Sequence, residues 1–181
     1  MRAVVLEMPP HWIEERRRLG HDLRDEVWDG VLHMVPQPGT PHMGLSSDLV
    51  FVLIPLARAR GYRVFFETSL FGAAGEKNYR VPDLTIVHPD NVSERGFEQH
   101  AELVIEILSA NDESRDKLPF YAMCGVREVW LIDPATRAFE ILSLEDRYAT
   151  VRTASAVLGV TLSTVEGPKL HIKWADGSAE I

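Results

Sequence analysis

The chain has 181 residues, 45% apolar and 25% charged, which excludes a disordered, collagen-like or coiled-coil chain and fits one domain. Nineteen Lys plus Arg against 27 Asp plus Glu leave a formal net charge of −8, so a uniformly basic nucleic-acid coat is excluded and any such contact must use a local patch. One cysteine, Cys124, excludes an intrachain disulfide and a CxxC zinc site; with no signal segment recognisable, this fits a reducing cytoplasm.

Residues 1–10 read as a loose arm ending in Pro9–Pro10, and residues 11–18, HWIEERRR, as a short charged helix. Asp29–Gly30 is a turn signal ahead of a strand over Val31–Val35, and Pro36, Pro38, Gly39 and Pro41 make a rigid loop. Met43 to Arg60 is predicted helical: Leu45, Leu49, Val52, Leu53 and Leu56 recur at steps of three and four, and Gly61 stops the run. Strands are expected over Tyr62–Leu70 and Val81–Val87, joined by a polar loop over Gly72–Tyr79. Glu102–Ser109, ELVIEILS, is apolar on both faces apart from Glu106, so it is predicted to be an interior strand covered on both sides.

After a polar stretch, Asn111–Arg115, a helix over Asp116–Met123 tolerates Pro119 in its first turn and stops at Gly125. Glu128–Asp133 is predicted to be a strand. Ala138–Leu144 and Tyr148–Thr153 form an expected antiparallel pair around Glu145–Asp146–Arg147. The tail adds one or two short strands over Thr161–Trp174, and the apolar residues Val157, Leu158, Val160 and Leu162 at its start suit a sheet edge or a homodimer interface. The longest apolar runs, Leu49–Ala57 and Leu103–Leu108, fall short of the roughly 20 residues of a membrane span, so no membrane partner is expected. The order of elements describes an α/β or α+β domain with a mixed sheet carrying helices on its faces.

Two acids sit where a carboxylate is costly. Glu106 lies inside LVIEIL, and Asp83 follows Pro82 and opens LTIV. On neighbouring strands they would converge at one strand end, as two oxygen donors for a hard divalent ion. The alternative is that Asp83 caps a turn and Glu106 pairs with an arginine. Lys117, early in the next helix, can reach back over the sheet end or lie exposed. His42, before the long helix, can bind phosphate, act as a base, ligate a metal or cap a loop. The remaining histidines form no HExxH or HxH pattern, and neither GxSxG nor a nucleotide-binding glycine loop is present. Arg58, Arg60, Arg63, Lys77 and Arg80 form the densest basic stretch, either a phosphate-facing patch or a solvated surface.

VPDLTIV (81–87), ELVIEILS (102–109) and DKLPFYAMCGVREVWLIDP (116–134), with Asp29–Gly30 and Pro41–His42 before them, resemble the Uma2 family, also called DUF820, of restriction-endonuclease-like proteins. The resemblance covers roughly residues 25–145 and implies the PD-(D/E)xK nuclease fold: a restriction-endonuclease-like mixed β-sheet flanked by helices, here with a β-rich C-terminal extension. It implies a domain over 25–181 behind an arm and helix over 1–24. It also implies that Asp83 and Glu106 bind Mg²⁺ or Mn²⁺, with the main-chain carbonyl of Ile107 as a further ligand. In the wider superfamily a lysine follows the second acid by two residues; Leu108 stands there in this chain, and Lys117 is the natural substitute. The implied function is a metal-dependent endonuclease acting on DNA phosphodiesters, with Asp83, Glu106, Lys117 and His42 as site residues. The competing expectations are an inactive nuclease-fold module that binds nucleic acid or protein, and a hydrolase of smaller phosphoesters.

Overall fold

The computed structural model describes residues 4–5, 9–20, 22–109, 112–144 and 150–181. In chain order the elements are β1 (Val4–Val5), α1 (Pro10–Arg18), β2 (Glu26–Trp28), β3 (Val31–His33), α2 (Thr40–Arg58), β4 (Arg63–Phe66) and β5 (Leu70–Phe71). Next come β6 (Tyr79–Arg80), β7 (Leu84–Val87), β8 (Phe97–Glu98), β9 (Leu103–Ile107), α3 (Leu118–Met123) and β10 (Glu128–Ile132). The chain ends with β11 (Phe139–Ser143), β12 (Thr150–Arg152), β13 (Ala154–Ser155), β14 (Val160–Val165), β15 (Lys169–Trp174) and β16 (Gly177–Glu180).

The central sheet runs β12-β11-β10-β9-β7-β4. β9 and β10 are parallel and the other neighbours antiparallel, so the sheet is mixed. All five residues of β9 are buried, as its uninterrupted apolar pattern predicts. Alternation then divides them. Leu103, Ile105 and Ile107 join Leu84, Ile86, Trp130 and Ile132 in one core beneath α2. Val104 joins Val87, Val129, Leu131 and the α3 residues Phe120 and Tyr121 in a second core on the opposite face. Glu106 shares the parity of Val104, and therefore points to the α3 side.

The leucine spacing of α2 does what its period predicts: Leu45, Leu49, Val52, Leu53 and Leu56 are buried in the first core. Its 19 residues also meet the bare length and hydropathy condition for crossing a membrane; the buried leucine face packed on the sheet accounts for that composition. The chain leaves the helix through Gly61, at φ +79, a backbone conformation that favours glycine.

Three segments depart from the sequence expectations. Val4–Val5 pairs antiparallel with β3, because the outer edge of that strand offers unpaired backbone groups; the arm is therefore not loose throughout. The expected strand over 62–70 is two strands. β4 pairs with β7, Glu67 adopts φ +47, and β5 then pairs with β6 in a second sheet of order β1-β3-β2-β6-β5-β8. The tail forms a separate antiparallel sheet, β13-β14-β15-β16, whose Val157, Leu158, Val160, Leu162, Leu170 and Ile172 fill the first core. Those side chains are consumed within the chain and so do not supply the homodimer interface they suggested. The turn expected at 145–147 lies outside the described residues, as do Asn111 and most of the N-terminal arm.

A buried carboxylate joins the tail to the central sheet. Glu128, 3% exposed, accepts from the Trp130 indole N–H at 2.6 Å and from the Ala156 backbone N–H at 2.9 Å.

Leu53 is fully buried and Phe51, two residues earlier on α2, is 83% exposed. Leu53→Ala is expected to lower unfolding free energy by about 2–5 kcal/mol, from lost transfer energy and a residual cavity. Phe51→Ala is expected to stay within about 0.5 kcal/mol of the wild type. Urea denaturation followed by circular dichroism distinguishes the two, and equal losses would place the core elsewhere.

Candidate active site

A cleft of about 640 Å³ opens where β7 begins and β9 ends. Its lining includes Glu26, His42, Asp83, Glu106, Ile107 and Lys117. The antiparallel register pairs Leu84 with Ile105, so one step further sets Asp83 opposite Glu106, and directly opposed residues share a sheet face. The two acids that the sequence singles out therefore converge, on the α3 side of the sheet.

Each Asp83 oxygen has a donor. Oδ2 accepts from the Ile107 backbone N–H at 2.6 Å, just beyond the last β7–β9 pair. Oδ1 accepts from His42 Nε2–H at 3.0 Å, since an ionised carboxylate only accepts. His42 is the third residue of α2, and the Pro38–Pro41 turn sets the first turn of that helix over the strand end. Burial by itself lowers the His42 pKa, but the Asp83 hydrogen bond and charge outweigh it and the net shift is upward.

Glu106 is held differently. Its Oε1 accepts from Lys117 Nζ at 3.1 Å and from the Tyr121 hydroxyl. Lys117 ends the one-turn 3₁₀ segment Ser114–Lys117 and Tyr121 follows four residues later in α3, so both project from one helical face onto the carboxylate. Glu106 Oε2 has no hydrogen bond among the described residues. Burial pushes the Glu106 carboxyl up to about 7; Lys117 opposes the rise, and the charges of Asp83 and Glu26 add to it. Burial alone would lower the Lys117 pKa, but Glu106 and Glu26 outweigh it and the ammonium stays charged. Burial and the Glu106 charge likewise raise the Tyr121 hydroxyl well above its ordinary value, so it remains a donor.

Glu26 is a site residue that the sequence patterns do not single out. It is 2% exposed; Oε1 receives Lys117 Nζ at 2.9 Å and the Val81 N–H at 2.9 Å, and Oε2 receives the Trp28 indole N–H at 2.7 Å. Its one local signal is that a Glu two residues before a Trp occurs again at 128–130, where the same Glu-to-indole bond forms. Tyr121 stands inside a motif already noted, and its four-residue spacing from Lys117 is the signal for its position.

The expected basic patch does not face the cleft. Arg80 is 4% exposed, its guanidinium 4.3 Å from the Trp28 ring and 4.2 Å from that of Phe120, with bonds to the Val27 and Tyr79 carbonyls. Arg63 pairs with Val87, the end of β7 remote from Asp83, four residues or about 13 Å along the strand. None of Arg58, Arg60, Arg63, Lys77 and Arg80 lines the cleft.

As a cation site, the donor set is all oxygen: the Asp83 carboxylate with one hydrogen bond on each oxygen, the open Glu106 Oε2, and the main chain at Ile107 beside them. No group of three or more His, Cys, Asp and Glu side chains converges as a metal cage among the described residues. Two carboxylates that leave the remaining positions to water suit magnesium, which binds through one or two carboxylates and keeps several waters.

Glu106 also makes stability depend on pH. Its folded pKa, about 7, exceeds the ordinary value of 4.5, so the folded state binds the extra proton between those values. The stabilisation is complete below the ordinary value and is lost as pH rises through about 7. In chelator-containing buffer, wild-type stability should therefore fall relative to Glu106→Gln over that window and run parallel to it above. A difference independent of pH, measured by urea denaturation at each pH, would contradict the burial of an ionisable Glu106.

The geometry can be set beside known proteins. The model of the Uma2 family, described as "Putative restriction endonuclease", matches residues 12–172. No curated protein matches the chain. The fold is similar to a crystal structure described as "a putative nuclease belonging to DUF820 from Anabaena variabilis", with a TM-score of 0.58 and 22% identity. That similarity covers 72% of this chain and 78% of the other and speaks for the fold alone. With a family match that spans most of the N-terminal sheet, the cleft and most of the C-terminal sheet, the chain belongs to the Uma2 family.

Proposed function

We propose that the chain is a divalent-metal-dependent endonuclease that hydrolyses phosphodiester bonds in nucleic acid, with DNA as the first substrate to test. The observation that carries this reading is the meeting of Asp83, Glu106 and Lys117 at one end of two neighbouring strands, inside a cleft. Two acids and a lysine suffice for in-line displacement at phosphorus once a cation is present. The lysine lies on the 3₁₀ turn after the strand rather than on the strand itself, yet its Nζ reaches Glu106 at 3.1 Å.

Asp83, Glu106 Oε2 and the Ile107 carbonyl are the groups that would hold Mg²⁺ or Mn²⁺. When bound, such an ion polarises a phosphoryl oxygen and lowers the pKa of an attacking water. The Ile107 N–H and His42 each restrain one oxygen of Asp83, which fixes the direction in which its free lone pairs point. Tyr121 and Lys117 do the same for Glu106 through Oε1 alone. The Lys117 side chain is 12% exposed, and its ammonium lies where it can donate to the attacking water or to a non-bridging phosphate oxygen as charge builds there. The charged residues of the cleft lining are mostly acidic: Glu67, Asp112, Glu113 and Asp133 join the central acids, and Arg24 is ion-paired to Glu67. A polyanion is repelled from such a lining until a cation is bound, so substrate affinity should depend on the metal.

The test is cleavage of plasmid and single-stranded DNA with Mg²⁺ or Mn²⁺. Asp83→Asn and Lys117→Met are each expected to reduce the rate by at least about 100-fold, as removal of a group that stabilises transition-state charge does. In parallel, millimolar Mn²⁺ should raise the melting temperature of the wild type near neutral pH, less so at lower pH as protons compete, and not at all in Asp83→Asn. Metal-induced shifts equal in both proteins, with no cleavage by either, would leave an inactive binding module as the better account.

A further inference from the structure

A lysine carried on the strand of the second acid is aimed by that strand. Lys117 instead closes the 3₁₀ turn Ser114–Lys117 that precedes the six-residue helix α3, eleven positions after Glu106, on a stem of four flexible carbons. Something else must hold it. Its ammonium is nearer to Glu26, at 2.9 Å, than to Glu106, at 3.1 Å.

Glu26 is equipped to be the fixed partner. It lies on β2, in the N-terminal sheet, and its side chain is 2% exposed. The Val81 N–H and the Trp28 indole hold its two oxygens, so the carboxylate has little rotational freedom left. Val81 is two residues before Asp83, so the same carboxylate that receives Lys117 also tethers the segment leading to the first acid. Glu106, by contrast, must offer an oxygen to a cation. With Lys117 as its exclusive partner it would form a closed ion pair that competes with that cation. Sharing the ammonium with Glu26 leaves Glu106 Oε2 open. With all three carboxylates ionised, Asp83, Glu106, Glu26 and Lys117 carry a formal net charge of −2, which one divalent ion would balance.

We propose that Glu26 is the positioning residue for Lys117: it holds the ammonium at the strand end and keeps Glu106 available to a cation. This assignment rests on the nuclease reading above and adds to it a residue from a different sheet.

The test is a double-mutant cycle with two readouts. Glu26→Gln removes the charge. Glu26→Asp keeps the charge but withdraws it by one methylene, and also serves if the glutamine variant fails to fold. Each should slow single-turnover cleavage by about 10- to 100-fold, the usual effect of losing a partner that orients a site group. In a Lys117→Met background neither should slow it further. In metal-free protein, acetylation of Lys117 read by mass spectrometry should be several-fold faster in both variants than in the wild type. Equal losses with and without Lys117, a Glu26→Asp variant that behaves as wild type, or unchanged acetylation would each overturn the assignment. Should the wild type cleave no nucleic acid, the nuclease reading fails, while the acetylation rates still decide whether Glu26 holds Lys117.

Discussion

A carboxylate inside an interior strand is the constraint around which the site is arranged. Glu106 lies in a run of five buried residues, between two hydrogen-bonded neighbouring strands, where it is only 3% exposed and water reaches it from the cleft alone. An unpaired charge there is costly enough that the chain must bring a donor or protonate the group. It does some of both. Lys117 and Tyr121 come from the 3₁₀ turn and helix that follow the strand, and the carboxyl pKa still rises to about 7. The position of α3 over the sheet end is tied to this requirement as much as to the burial of Phe120 and Tyr121 in the second core.

The two faces of the central sheet have different tasks. The first face is apolar along β9 and receives α2 and the C-terminal sheet, which makes it the larger of the two cores. Glu128, a buried charge on that face, is taken up by Trp130 and Ala156. The second face carries Glu106 and Asp83, and there the N-terminal sheet and α3 leave a cleft in place of a sealed core. The same Glu-to-indole device occurs on both. At Glu128 both accepted bonds are structural, whereas at Glu26 a third donor, Lys117, joins them. One local motif thus serves anchoring in one place and the candidate active site in the other.

The charge around the cleft bears on the proposed role of a cation. The net charge is −8, and the basic residues that are dense in sequence are dispersed in space: Arg80 inside a stack with Trp28 and Phe120, Arg63 at the remote end of β4. On the proposed reading, attraction of a polyanion would have to come from within the cleft, from Lys117 and from a cation held by the acids.

Local periodicity and spacing decided much of this protein from the sequence alone. The three- and four-residue steps of leucine place α2 and its buried face, the apolar run around Glu106 identifies an interior strand, and Asp29–Gly30, both at positive φ, closes the β2–β3 hairpin. These features depend on residues a few positions apart, so they are written in the order of side chains. The pairing of β7 with β9, by which Asp83 meets Glu106, was inferred only as a condition, because register between strands is set by the whole sheet. Tertiary structure alone decided the contacts that span long stretches of chain. Glu26 meets Lys117 across 91 residues, Arg80 is drawn inward by Trp28 and Phe120, and the tail turns back to cover α2. No local propensity encodes such meetings; they follow from which faces remain to be buried once the sheets have formed.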